Sequence, residues 1–312
     1  MSCLHYDLVA LDCDGTLIDA RRSYDEAIIQ TVEIITAEFK GGQTKRNKGW
    51  KKAVMALRRT GYFNNDWDTA CALTLLLIEA GCSEATLLKR ITEFGVYGKG
   101  IHDIIEFEGR QMKNRQETYA AALEHMGYPG KPPVSRLASV FDAIYYGTDL
   151  YTLIYGAEPP LMCEGLLRRE KVLVDAFFLR ELTEAVGRRP ILITGRPRKA
   201  AEMALGKLLN LFDLSASTFT ADIGTKFEKP SPSGLLRASE ITGARHVLYA
   251  GDSMEDLLMA ENAARQGLTV DFVAVTGSTI GGSRNNSLFL KCGAIAAVRH
   301  VSEITQYIRG LD

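Results

Sequence analysis

Four short apolar runs, Tyr6 to Leu11, Pro190 to Thr194, His246 to Ala250 and Thr269 to Val275, are rich in Val, Ile, Leu and Tyr and read as buried strands. Between and after them, polar and apolar positions alternate with helical spacing over Lys199 to Leu211, Ser233 to Ile241 and Glu255 to Gln266. Strand followed by helix, repeated, predicts an α/β fold with a doubly wound, parallel, Rossmann-like sheet. Functional groups are then expected at the carboxyl ends of the strands.

From residue 19 to residue 180 the pattern changes. Long amphipathic segments, Tyr24 to Phe39, Trp67 to Ala80, Glu84 to Phe94 and Ile104 to His125, follow one another with little strand signal. Gly41-Gly42, Gly61, Gly81, the Tyr128 to Pro133 loop and Glu158-Pro159-Pro160 punctuate them as turns. The expected organisation is a core of residues 1–18 and 181–312 with an inserted helical cap domain, 19–180. A chain of 312 residues exceeds what one hydrophobic core usually serves, which favours two domains. The insertion leaves strand one and returns to strand two, where a lid over the carboxyl end of the sheet belongs.

Charge narrows the classes. With 37 Lys plus Arg against 38 Asp plus Glu there is no global field to recruit nucleic acid or an anionic membrane. The longest apolar run, Cys71 to Ile78, is far shorter than the roughly 20 residues that cross a bilayer. The start, Met-Ser-Cys-Leu-His-Tyr-Asp, lacks the features of a signal peptide. The six cysteines (Cys3, Cys13, Cys71, Cys82, Cys163, Cys292) show no paired spacing, as expected for reduced, buried thiols in a cytoplasmic protein.

The candidate chemistry lies in four runs that end or follow the predicted strands. In Leu11-Asp12-Cys13-Asp14-Gly15-Thr16-Leu17, two carboxylates stand two apart and project toward one site while Cys13 turns into packing. Such a pair cannot ionise twice cheaply, so a metal can hold one as the anion while the other keeps a proton. Thr194-Gly195-Arg196 offers phosphate a hydroxyl and an unhindered backbone amide, and Arg196 either touches substrate or pairs with an acid. Lys229, before Pro230, supplies a positive charge on a flexible stem, with Lys226 as a competitor in the same loop. Gly251-Asp252-Ser253-Met254-Glu255-Asp256 opens a helix with the hard oxygens magnesium prefers. There Asp256 either binds metal or orients Asp252, and Ser253 either contacts phosphate or caps the helix.

These four runs, in this order, resemble the four motifs of the haloacid dehalogenase superfamily, in the branch of phosphoglycolate-phosphatase-like members with a helical cap between motifs one and two. The resemblance implies a magnesium-dependent phosphatase acting on a small phosphate ester. In it Asp12 forms an aspartyl-phosphate, and Asp14 is the acid/base and gives a backbone carbonyl to magnesium. Thr194 and Lys229 hold phosphate, and Asp252 and Asp256 hold the metal. The dehalogenases lack a second aspartate, so Asp14 argues for phosphate chemistry. A phosphomutase shares all these residues. A receiver-type signalling module also uses them, but places its acidic pair first and has no large insertion.

In the insertion, Asn64-Asn65-Asp66-Trp67 with Ser23-Tyr24 is similar to a little-characterised subgroup of capped phosphatases. Asn65 or Asp66 either caps the following helix or meets substrate. The basic stretch Lys45, Arg46, Lys48, Lys51, Lys52, Arg58 and Arg59 is either a solvated face or an attractor of anionic substrate. Substrate and oligomeric state stay open at this level.

Overall fold

The computed structural model describes residues 5–42, 49–59, 63, 65–78, 84–97, 103, 106, 115–277 and 286–309. Lys45, Arg46, Lys48, Gly61, Asn64, Gly81, Cys3, Cys82 and most of the segment 104–114 lie outside them. The chain forms two compact units, Met1–Arg21 with Glu170–Asp312, and Arg22–Arg169. The first unit resumes at Glu170 rather than at Glu181, because residues 171–180 already supply a strand and the first turns of a helix.

The strands are β1 (Leu8–Leu11), β2 (Ile18–Asp19), β3 (Lys171–Val172), β4 (Ile191–Thr194), β5 (Thr218–Phe219), β6 (His246–Gly251), β7 (Thr269–Val275) and β8 (Ala296–Val298). Six of them make one sheet in the order β5-β4-β1-β6-β7-β8, with every neighbour parallel. From β1 the chain runs outward first to β4 and β5, then back to β6, β7 and β8 on the other side. That reversal makes the crevice at the carboxyl end of β1 the natural ligand site.

Alternation along the strands builds the layers. Leu8, Ala10, Ile191, Ile193, Val247, Tyr249 and Phe272 face one core with Leu235 and Ala238 of helix Ser233–Thr242 and Leu257 and Ala260 of helix Met254–Arg265. Val9, Leu11, Leu192 and Leu248 are as buried and belong to the opposite face. Helix Ala176–Val186 packs against β1. Its start is fixed by Asp175, whose carboxylate accepts the Phe178 N–H at 2.9 Å.

The second unit is helical: most of Arg21–Lys40, then Gly49–Arg59, Asp66–Ile78, Glu84–Tyr97, Arg115–Met126, Arg136–Tyr146 and Thr148–Tyr155. Asp66–Ile78 is buried without a break from Thr69 to Ile78, as expected of a helix enclosed on all sides. The Thr69 and Thr74 hydroxyls donate back to Asn65 O and Ala70 O at 2.9 and 2.8 Å, so neither is orphaned. No helix of the described residues is long and apolar enough to cross a membrane. Among the described cysteines, Cys13 and Cys71 are free and buried, and Cys163 and Cys292 are free but only partly buried.

The run from Asn65 to Asp68 is a structural hub. Asn65 Oδ1 accepts from Trp67 N (2.8 Å) and Asp68 N (3.2 Å), capping the helix. Asp66 and Asp25 pair with Arg58 at 2.6 and 2.8 Å, which removes Arg58 from the expected solvated face; Lys51 and Lys52 remain exposed. Trp67 Nε1 donates to Asp142 Oδ1 at 3.0 Å, and the Tyr155 hydroxyl donates to Asp142 Oδ2. Burial outweighs these two donors and pushes the Asp142 carboxyl up from 3.8 to about 7.

A raised acid favours its protonated form in the folded state, so between 3.8 and about 7 the native chain holds the extra proton and stability falls as pH rises. The expected slope is at most about 1.4 kcal/mol per pH unit. Urea midpoints across that window for wild type and Asp142→Asn should converge as pH falls if Asn stands in for the neutral acid. Parallel lines would show that Asp142 is ionised throughout.

Candidate active site

Asp12 and Asp252 follow directly on the ends of β1 and β6, and Thr194 ends β4, whereas Lys229 comes from a loop and Asp256 from the first turn of helix Met254–Arg265. Asp12 follows β1, and its N–H donates to Ala250 O in β6 at 2.9 Å, so the backbone there is held between two strands. The chain then turns within a few residues, with Leu17 N donating to Cys13 O (2.8 Å) and Gly15 N to Ile18 O (2.8 Å), before β2 pairs with β3. Gly15 has φ 72°, and a Cβ there would lie 1.9 Å from Asp252 Oδ2. Both the dihedral and the close approach require glycine. Gly251 is similarly constrained, since its Cβ would stand 2.5 Å from the Asp256 carboxyl carbon.

Lys229 ties the centre together. Its Nζ lies 2.5 Å from Asp12 Oδ1 and 2.6 Å from Asp256 Oδ1. Its loop is anchored by Asn262 Nδ2, which donates to Pro230 O at 3.0 Å, whereas Lys226 is exposed. Asp256 is buried and saturated with donors. Oδ1 takes the Tyr249 hydroxyl and Lys229, and Oδ2 takes Ser253 N (3.0 Å) and Ser253 Oγ (2.6 Å). Those four donors use about all the lone pairs a carboxylate has. Burial opposes its ionisation, but Lys229, Ser253 and Tyr249 outweigh burial and hold Asp256 below the usual range.

The other two carboxylates go the opposite way. Burial pushes Asp12 up to about 7 despite Lys229. Asp252 is raised well above its ordinary value by burial and by the charges of Asp12 and Asp256. One oxygen of each of Asp12, Asp252 and Asp256 lies within 4.8 Å of the others. Hard oxygens crowded so closely that two of them resist ionisation are a donor set suited to a divalent cation such as magnesium.

On the β4 side, Thr194 is buried and its Oγ1 accepts the Arg196 N–H at 3.1 Å, which leaves the hydroxyl proton available. Gly195 has open space where a side chain would be. The Arg196 side chain donates to Asp14 through Nε (2.9 and 3.0 Å) and Nη2, and to Glu170 Oε2 at 2.7 Å. Cys13 is buried, and burial raises its thiol well above the ordinary range, which suits packing rather than nucleophilic work.

A sequence profile described as "Hydrolase: haloacid dehalogenase-like hydrolase" matches residues 6–264, from β1 through the Asp252-to-Asp256 run. The chain belongs to the haloacid dehalogenase-like hydrolases. Among solved structures it resembles phosphatase Tt82 from Thermococcus thioreducens, with a TM-score of 0.59 and 24% identity over 86% of this chain and 92% of that one. It also resembles a protein described as a haloacid dehalogenase-like hydrolase from Bacteroides fragilis, with a TM-score of 0.50 and 17% identity over 96% and 99% of the two chains. At these identities the likeness concerns the fold. No protein of curated function matches the chain in sequence.

Of the residues expected in this haloacid dehalogenase-like site, Asp12, Lys229, Asp252 and Asp256 come together directly. For two residues the structure decides between the expected alternatives. Ser253 caps helix Met254–Arg265 in a capping box with Asp256, so its hydroxyl is committed to Asp256 rather than aimed at phosphate. Arg196 pairs with an acid, the Asp14 carboxylate. Two further residues escaped sequence reasoning. Tyr249 looked like an ordinary apolar strand position, although its alternation with Ala250 and Gly251 places it beside Asp256. Glu170 carried no signal at all, lying in a segment read as cap.

Proposed function

We propose that this haloacid dehalogenase-like hydrolase is a magnesium-dependent phosphomonoester hydrolase that works through an aspartyl-phosphate on Asp12, with a small phosphorylated metabolite as substrate. The observation that carries this reading is the Lys229 ammonium bridging Asp12 and Asp256 beside Asp252. Asp12 and Asp252 would hold magnesium, with Asp256, its lone pairs occupied, orienting the set. Bound there, the ion would neutralise charge on the phosphate oxygens.

The chain's own groups divide the remaining work. Lys229 engages Asp12 Oδ1, so Oδ2 is the oxygen free to attack phosphorus in line. Lys229 and the Thr194 hydroxyl proton would balance the negative charge of the transferring group. Asp14 gives a proton to the departing alcohol oxygen, then takes one from water as the water oxygen attacks phosphorus. The bond between phosphorus and Asp12 breaks, returning the carboxylate and releasing inorganic phosphate.

Metal removal tests the reading. Phosphate release from p-nitrophenyl phosphate should fall to background after EDTA treatment and dialysis, and recover when magnesium is added. Equal rates with and without chelator would overturn it.

A further inference from the structure

The proposed reaction uses one carboxylate twice, as acid and then as base, and each proton transfer requires that carboxylate to point at the reacting oxygen. Asp14 follows the end of β1 by three residues and its side chain is 30% exposed, so the turn backbone alone does not fix it. What fixes it is Arg196. Nε reaches both carboxylate oxygens, Nη2 reaches Oδ1, and the guanidinium is essentially buried, at 1% side-chain exposure. A fork of this kind fixes orientation as well as position, because two parallel bonds define the plane of the carboxylate.

The fork is itself seated. Nη2 also donates to Glu170 Oε2 at 2.7 Å, and the Glu170 side chain is 2% exposed. Glu170 is thus a buried carboxylate whose charge the Arg196 guanidinium helps to balance, and the pairing holds the guanidinium in place. Glu170 in turn sits beside β3, whose Lys171 pairs with Asp19 of β2, immediately after the turn that carries Asp14. The Arg196 backbone meanwhile donates to Thr194 Oγ1. One residue therefore orders two groups of the site, by its amide and by its side chain.

We propose that Arg196 and Glu170 are positioning residues for the reaction: Glu170 seats the Arg196 guanidinium, and the guanidinium holds the Asp14 carboxylate in the orientation its proton transfers need. This inference rests on the phosphatase reading of the same site. Arg196 and Glu170 bear on the Asp14 carboxylate, so their removal acts on the chemical step through Asp14 and leaves substrate affinity largely alone. Lysine in place of Arg196 keeps the charge but has no fork with which to span Asp14 and Glu170.

The test is a double-mutant cycle on the full-length protein, with p-nitrophenyl phosphate and saturating magnesium, at enzyme concentrations that make the slowest rates measurable. Arg196→Lys and Glu170→Gln should each lower kcat about tenfold or more, with KM within about twofold of wild type. In an Asp14→Asn background, adding either change should cost less than about twofold, because the group they position is already gone. Circular dichroism and thermal melting report folding. If Arg196→Lys melts at the assay temperature, Glu170→Gln decides, since it keeps the side-chain shape but loses the negative charge that seats the guanidinium. A purely structural role would lower the active fraction equally in both backgrounds, and that result overturns the proposal. So do single variants within twofold of wild type in kcat. A wild-type protein that releases no phosphate would remove the phosphatase reading, and this inference with it.

Discussion

An Asp12→Asn variant is expected to release phosphate at least about a thousandfold more slowly than wild type, the scale on which loss of a covalent nucleophile is felt. The amide has nearly the shape of the carboxylate, so packing at the end of β1 survives, and Lys229 keeps Asp256 as its partner. Burial and neighbouring carboxylates hold the Asp12 acid up at about 7, so replacing it with a neutral group also removes repulsion from Asp252. The variant should therefore melt no lower than wild type. Loss of turnover with retained stability marks a chemical role; full turnover would remove Asp12 from the mechanism.

Asp256→Ala should destabilise the sheet-bearing unit by about 3–5 kcal/mol, the cost of breaking a buried ion pair from one side. The carboxylate is 1% exposed and receives Lys229, the Tyr249 hydroxyl and both donors of Ser253. Alanine would leave the Tyr249 hydroxyl buried without this acceptor and remove half of the capping box of helix Met254–Arg265, which alone is worth about 1 kcal/mol. A carboxyl held below its unfolded value contributes stability above that value and loses it as pH falls through the folded one. Asp252 is the internal control. It is raised by burial and like charge, so Asp252→Asn should leave the urea midpoint unchanged or raise it. If Asp256→Ala shifts the midpoint no more than Asp252→Asn does, the Asp256 network is not what holds this end of the sheet.

The four long strands were legible because each is a mostly apolar run between turn residues, although Asp271 interrupts Thr269–Val275. The short strands β2, β3, β5 and β8 were not, since two or three residues carry no period. In the helical unit the pattern misled in two ways. Residues 49–59 read as a charge run, yet Trp50, Ala53, Val54 and Leu57 are buried at helical spacing beneath those charges. Arg136–Tyr146 is buried continuously from Leu137 to Tyr145, so it shows no polar face to reveal a helix.

By itself the sequence determined the family and the parallel sheet, and it singled out Asp12, Lys229, Asp252 and Asp256 as one group, because these depend on residue type and the order of short motifs along the chain. Only the tertiary structure decided what those groups do to one another. It committed Ser253 to a cap, saturated Asp256 with donors, and set Arg196 and Glu170 behind Asp14. Such pairings join residues as much as 217 positions apart, and they depend on distance and burial, which no local pattern encodes.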